Sequence, residues 1–501
     1  MRKIEQWPRI IQGGMGIGVS NYRLARAASR AGALGVVSGT AIDTVLVRRL
    51  QLGDENGDMR RALAQFPNPE VARRITEAYF IPGGKRPGDS FRLLPLPNAS
   101  MSRARLDVIV AANFVEVFLA KEGHDGLVGI NYLEKIQTPT LPALFGAILA
   151  GVDVVLMGAG IPLSIPGALD RLANFEPAEI RFNVEQSEPG SAVALRFTPL
   201  DHFERGLFTA KRPHFFAIVS SHVIAKTLAR KANGKVDGFV VEDHTAGGHN
   251  APPRKSRTAD RLAGPAFGSA DVPNLSEFRE LGLPFWIAGS AASPIKLEQA
   301  LAAGAEGVQL GTAFAFCDES GITSELKRDV LVRARTRRLS VVTDFEASPT
   351  GYPFKRVERE GLDHELAQQR GRERICDLGY LRRPYADGGG VGYRCAGEPV
   401  ATYLKKGGSE ADTVNKLCLC NQLFATIGLG QTRGNGEELP LLTSGEELIE
   451  VASFVEPSSG SFSAERVIRI MTGTLLSPGP HDGDGERDQR QCVNEPLGLR
   501  Q

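Results

Sequence analysis

Residues 240–254 read Val-Val-Glu-Asp-His-Thr-Ala-Gly-Gly-His-Asn-Ala-Pro-Pro-Arg, and the stretch gathers side chains able to do chemistry. It follows directly on an apolar run, Gly238-Phe239-Val240-Val241, that reads as a short buried strand. At Gly247-Gly248 the backbone can turn sharply or lie flat against a ligand. His249 is the first titratable side chain past that break. A neutral imidazole, with an unperturbed pKa of roughly 6.5, suits a general base near neutral pH. A histidine on a glycine loop at the carboxyl end of a buried strand is where an α/β barrel carries its chemistry. A glycine turn with a surface histidine is the plainer alternative.

Two later loops point to phosphate. Gly289-Ser290-Ala291-Ala292 precedes an expected helix, and Gly311-Thr312-Ala313-Phe314 ends the next strand. Adjacent loops of this kind expose backbone N–H groups and a helix N-terminus, which together bind a phosphate; ordinary tight turns are the alternative. A different chemistry is open to Cys376, Cys395, Cys418 and Cys420. Four thiolates can hold zinc or an iron–sulfur cluster. The spacing contains one Cys-x-Cys and no Cys-x-x-Cys knuckle, so reduced buried cysteines without metal stand beside that reading.

The elements that must position these groups alternate. Short apolar runs fall at Ile10-Ile11-Gln12, at 35–38, 127–131, 152–157, 215–219 and 238–241, then at 285–288 and 307–310. Most are followed by a stretch with helical spacing, and nearly every run ends in glycine or a small polar residue. Eight such units predict a closed (β/α)8 (TIM) barrel, with a ligand lying across its mouth. An open doubly wound sheet would want Gly-x-Gly-x-x-Gly after the first strand, and Gly13-Gly14-Met15-Gly16-Ile17-Gly18 lacks that spacing. The expected division is a barrel over 1–335 with an inserted helical segment at about 41–106, a C-terminal extension over 336–476, and a disordered tail over 477–501. Two β-rich runs near 180–184 and 193–197 predict a hairpin-like elaboration.

Composition narrows the class. The 501 residues are 42% hydrophobic and 23% charged, as in soluble globular proteins. Lys+Arg 59 against Asp+Glu 58 gives no reason to expect nucleic acid or an anionic membrane as a partner. Six cysteines are too few for a disulfide scaffold, and neither a signal peptide nor a membrane-spanning run is visible, so a cytoplasmic location is expected.

The matching stretches 10–16, 32–39, 128–131, 238–249 and 286–314 make the first two-thirds of the chain resemble the nitronate monooxygenase family, once called 2-nitropropane dioxygenases. Enoyl-acyl-carrier-protein reductases belong to the same FMN-dependent barrel superfamily. The Ala-Gly-Gly-His core, 246–249, with the paired Gly-Ser and Gly-Thr loops, carries most of the likeness. The resemblance implies FMN, with its phosphate near Gly289, Ser290, Gly311 and Thr312. Its ring would lie along Gly13, Gly14 and Met15, near Asn131 and beside Gly247 and Gly248. His249 would remove the proton α to a nitro group or sit over a bound nitronate, with O2 as oxidant. In the reductases the same position binds and polarises the substrate while NAD(P)H reduces the flavin, and an acyl-carrier protein delivers that substrate. This chain departs from the family at Thr245, where an acidic residue is common, and at Glu242-Asp243, where a Gln-Gly pair is common. The expectation is therefore an oxidoreductase acting on a small molecule, with the reductase and a non-catalytic binding barrel as rivals. Homo-oligomerisation is left open.

Overall fold

The computed structural model describes residues 4–187, 193–203, 210–254, 266–362, 364–434 and 436–475. Eight parallel strands close into a barrel in chain order. They are Ile10–Gln12, Leu34–Ser38, Val128–Leu133, Val154–Gly158, His214–Val219, Gly238–Glu242, Phe285–Ala288 and Gly307–Leu310. Closure is made where Ile10 pairs with Val308 and Gln12 with Leu310. Each strand coincides with one of the apolar runs, and the fold is the expected TIM barrel.

The two-residue period of the strands sorts the core into two layers. Ile11, Val36, Leu156, Phe216, Val240 and Trp286 point inward and fill the barrel. Their neighbours Ile10, Val37, Val155, Phe215, Phe239 and Val241 point outward and pack under the surrounding helices. At the amino end of the barrel Trp7 meets Phe216 and Trp286 edge-on, at 5.0 and 5.7 Å between ring centres. Trp286 Nε1 donates to the Pro8 carbonyl at 2.9 Å. That end is plugged by aromatic rings. The open space lies at the carboxyl ends of the strands.

Between the second and third strands run the helices Ile42–Gln51, Asp58–Leu63 and Pro69–Tyr79, before the long helix Arg103–Lys121. Pro69–Tyr79 starts where it does because Asn68 accepts from Val71 N–H and proline occupies the first turn. The expected hairpin is present as Ala178–Arg181 against Ala194–Phe197.

Residues beyond the eighth strand fold back over the barrel. The hairpin Leu339–Asp344 and Phe354–Arg359 approaches the mouth, and Phe354 forms a β-bridge with His249. The Asn250 N–H donates to the Pro353 carbonyl at 3.0 Å, and the Lys355 N–H to the Gly248 carbonyl at 2.9 Å. Far along the chain the helix Ala464–Met471 buries Ala464, Val467, Ile468, Ile470 and Met471. It packs on Tyr22–Arg30 and on Pro294–Ala302, so it fills the gap between the first and seventh helices of the ring. Residues 336–463 thus lie, in chain order, between the eighth strand and a helix of its own ring. The 477–501 tail and residues 255–265, which follow the Ala-Gly-Gly-His stretch, lie outside the described residues.

A buried polar cluster joins the helical insertion to the later segment. Arg105 pairs with Asp43, and both side chains are almost fully enclosed. Asp43 Oδ1 also accepts from the Tyr380 hydroxyl at 2.7 Å, and Tyr380 lies 2.7 Å from Thr44 Oγ1. Among the described residues no helix is long and apolar enough to cross a membrane.

Candidate active site

The carboxyl ends of the strands surround a cavity of about 250 Å³. Its walls include Gly13, Gly14, Met15, Asn131, Gly247, Gly248, His249, Gly289, Ser290, Gly311 and Thr312. Residues up to 299 positions apart in sequence are thus gathered around one space by the barrel.

Several of these glycines stand where a side chain would collide. A Cβ on Gly14 would stand 2.3 Å from Asn131 Cβ. Gly289 has φ +102°, a backbone only glycine adopts freely, and a Cβ there would meet Asp243 and Thr245 at 2.9 Å. Gly311 is different: its added Cβ would find only Met15 Sδ, at 3.7 Å. Three buried polar atoms on these walls have no hydrogen-bond partner, namely Asn131 Oδ1, Gln309 Oε1 and Thr245 Oγ1. Buried polar groups are normally paired, so each of them calls for a ligand group or water. Gln309, the one polar side chain in an otherwise apolar strand, escaped the sequence reading.

The later segment supplies a further wall. Thr312 Oγ1 accepts from the Gly445 N–H at 3.0 Å, and the Gly248 N–H donates to Thr443 Oγ1 at 3.0 Å. Glu447 Oε2 accepts from the Ala292 N–H at 3.0 Å, just before the helix Pro294–Ala302. That carboxylate takes up one of the amides expected to receive a phosphate. Burial raises the Glu447 carboxyl above its ordinary value.

A second cavity of about 290 Å³ adjoins the first, and Ala159, Ile218, Glu242 and His249 line both. His249 Nε2 lies 2.7 Å from Ser348 Oγ, and its ring packs edge-on against Phe354 with centres 4.9 Å apart. Burial, reinforced by the Lys135 charge, lowers His249 to about 3, so the imidazole is neutral at working pH and a weak proton acceptor. Glu242 moves the opposite way. Burial first, then the Asp243 carboxylate, raises it to about 7. Lys135 faces the second cavity with its buried Nζ unpaired by any hydrogen bond, 4.0 Å from the centre of the Tyr352 ring. Burial lowers it to about 8, with Arg383 adding to the effect and Glu134 opposing it. Neither Lys135 nor Glu242 was singled out as a reacting group from sequence, although Glu242 stands at a strand end, where such groups sit. His244 lines the second cavity and stacks on Phe267 at 4.8 Å between centres.

The reading of the four cysteines as a site for zinc or an iron–sulfur cluster needs correction. Among the described residues no group of three or more His, Cys, Asp or Glu side chains is arranged to hold a metal ion. A single zinc needs all its sulfurs at about 2.3 Å from one point. Cys376, Cys395, Cys418 and Cys420 instead line a small cavity together.

Comparison with known proteins bears on this geometry. Residues 192–365 match the nitronate monooxygenase family. The match takes in the Ala-Gly-Gly-His loop and both phosphate-type loops, where the likeness had been drawn from sequence; the stretches 10–16, 32–39 and 128–131 lie outside it. A probable nitronate monooxygenase of Staphylococcus saprophyticus is 30% identical over 151 residues, which is 30% of this chain and 39% of that protein. The matched region thus spans about two-fifths of that relative's length. Among solved structures, FabK from Thermotoga maritima aligns over 94% of this chain and 93% of its own at 15% identity, with a TM-score of 0.46. A nitroalkane oxidase from Streptomyces ansochromogenes aligns over 93% and 95% at 15% identity, with a TM-score of 0.44.

Proposed function

We propose that the chain is an FMN-dependent oxidoreductase of nitronate monooxygenase type, oxidising a nitronate or a related carbanion with O2. The observation that carries this reading is the pair of adjoining cavities with His249 and Glu242 in their common wall. The first cavity, at the carboxyl ends of the strands, suits FMN. Its glycine faces let a flat ring lie against backbone, and Asn131, Gln309 and Thr245 offer unpaired polar atoms to a heteroaromatic edge. Gly289, Ser290, Gly311 and Thr312 would hold the phosphate, using the amides of these loops other than that of Ala292, which Glu447 occupies. When bound, FMN supplies the acceptor for the electrons of a substrate carbanion and passes them to O2.

The chain's own residues do the rest. The Lys135 ammonium, buried and without a hydrogen bond, attracts the anionic oxygens of a nitronate in the second cavity. Glu242, raised to about 7, is the proton acceptor for a neutral nitroalkane, since its pKa matches working pH. His249, held neutral, orients the substrate while Ser348 fixes its ring. This divides between two residues the work that the family likeness gives to His249 alone.

An NAD(P)H-dependent enoyl reductase is the second reading, favoured by the same Lys135, whose ammonium would equally polarise a thioester carbonyl. One experiment separates them. The purified protein is denatured, the released flavin identified, and the native protein mixed without oxygen with NADPH and, separately, with a nitronate. Release of FMN with bleaching by the nitronate alone supports the monooxygenase. Rapid bleaching by NADPH supports the reductase, and protein that binds no flavin when reconstituted with FMN overturns both.

A further inference from the structure

We propose that a single halide ion, such as chloride, binds between Arg48 and Arg105, in a small pocket where the helical insertion meets the later segment. Arg48 comes from the helix Ile42–Gln51 and Arg105 from Arg103–Lys121, while the opposite wall carries Asp377 and Tyr380. The pocket has a volume of about 10 Å³, room for one water-sized guest. Tyr380 is a side chain it has in common with the first cavity.

Two enclosed guanidinium groups in this lining each keep a terminal nitrogen without a hydrogen-bond partner. These are Nη2 of Arg48, a residue 1% exposed, and Nη1 of Arg105, 3% exposed. Their other contacts are made. Arg48 lies against the rings of Phe91 and Phe424, at 5.0 and 4.8 Å from their centres, and its Nη1 donates to the Leu429 carbonyl. Aromatic faces attract a cation but leave its edge N–H groups unpaired. Arg105 donates from Nε to the Pro95 carbonyl at 3.0 Å and from Nη2 to Asp43. Buried N–H groups are normally paired, so two orphans on one small pocket call for a common acceptor.

The charges decide that the acceptor is an anion. Burial lowers Arg48 to about 10, so it is still a cation at neutral pH. The carboxylates nearby are committed to other arginines: Asp43 to Arg105, Asp377 to Arg433 at 2.9 Å and Glu438 to Arg372 at 2.6 Å. Four guanidinium groups thus meet three carboxylates, and Arg48 is left over. An enclosed charge without its counter-charge is strongly destabilising. Asp377 lines the pocket, but its oxygens accept from Asn421 Nδ2 at 2.8 Å and Arg433 Nη2 at 2.9 Å. The hydroxyls of Thr44 and Tyr380 lie 2.7 Å apart, and Tyr380 donates to Asp43. A water could accept from both arginines but would leave the extra charge uncompensated. Phosphate, sulfate and nitrate exceed the space. A monatomic anion meets both demands, and it fastens the insertion to the later segment.

The test follows the Tm of the full chain at constant pH and ionic strength, in sodium chloride, sodium bromide or sodium gluconate. Chloride and bromide should each raise Tm above the gluconate value, by about 1–3 °C for every tenfold excess over the dissociation constant. General salt effects favour strongly hydrated anions, so a gain from bromide marks a bound ion. Arg48→Met removes the surplus cation and should melt alike in all three salts. Arg73→Ala, at an exposed ion pair on another helix, should keep the halide dependence. Should Arg48→Met fail to fold, wild-type crystals soaked in bromide decide, with an anomalous peak expected between Arg48 and Arg105. Equal Tm in the three salts, a halide effect that survives Arg48→Met, or a bromide crystal without that peak overturns the proposal. Flavin and turnover are not part of these readouts, so the outcome is independent of the proposed function.

Discussion

Lys135 Nζ stands 4.0 Å from the centre of the Tyr352 ring, and this contact with a π-face is the partner offered to a buried ammonium that makes no hydrogen bond. A cation so placed costs stability and is poised to pair with an anion. Lys135→Met is expected to raise KM for a nitronate by about 10–100-fold, the equivalent of roughly 1.4–2.8 kcal/mol. The same change should leave stability unchanged or higher. Steady-state kinetics with a denaturant melt checks both; unaltered KM with lower stability would assign Lys135 to packing.

Glu242 and His249 are separable by substrate form. Glu242→Gln should lose about 10²–10⁴-fold on a neutral nitroalkane and little on the preformed nitronate, which has no proton to give up. His249→Ala should lose similar factors on both forms, because it orients and does not accept the proton. Selective loss in His249→Ala instead would return the base to the histidine.

The pH profile follows from the same two shifts. Glu242 must be ionised to accept a proton, so kcat/KM for the nitroalkane should fall as pH drops below about 7. Lys135 must be charged to hold the anion, so the rate should fall again as pH rises above about 8. With a preformed nitronate the lower limb should vanish and the upper one remain. An unchanged lower limb would remove Glu242 from the mechanism.

Gly311 has room for a side chain and no left-handed backbone, so Gly311→Glu should fold. Its carboxylate would repel a phosphate dianion in the cavity. The variant should purify without bound flavin, as read by absorbance and by release after denaturation. Normal occupancy would place the phosphate elsewhere.

The buried pair of Asp43 and Arg105 gives a stability prediction. Asp43→Asn leaves a guanidinium enclosed without its counter-charge and should cost about 3–5 kcal/mol. Tyr380→Phe removes one hydroxyl from the same cluster and should cost about 0.5–1.5 kcal/mol. Equilibrium denaturant melts of both variants measure the difference.

The barrel was legible because its signals are local. Apolar runs such as Val154–Gly158, ended by glycine, announce a strand and its exit without any knowledge of partners. The glycine-rich half of the candidate site was legible for the same reason. Lys135, Glu242 and Gln309 were not, since their importance comes from burial and from the absence of a partner, which no neighbouring residue encodes. The role of the later segment was equally hidden. It depends on pairings such as His249 with Phe354, more than 100 residues apart, and on Thr312 with Gly445. The four cysteines announced themselves by type, but their grouping around one cavity is a property of three separate segments.

The placement of Ala464–Met471 between the first and seventh helices has a consequence for how the protein is made. On the ribosome the apolar flank of Tyr22–Arg30 emerges early, yet its neighbour is synthesised well after the eighth strand. At about 5–20 residues per second, the stretch from Leu310 to Ala464 takes roughly 8–30 s to translate. For that interval all eight strands exist and the ring of helices has an open seam. The nascent chain is therefore a substrate for chaperones throughout that interval, and a premature stop within 336–463 should yield insoluble product even though every strand of the barrel is present.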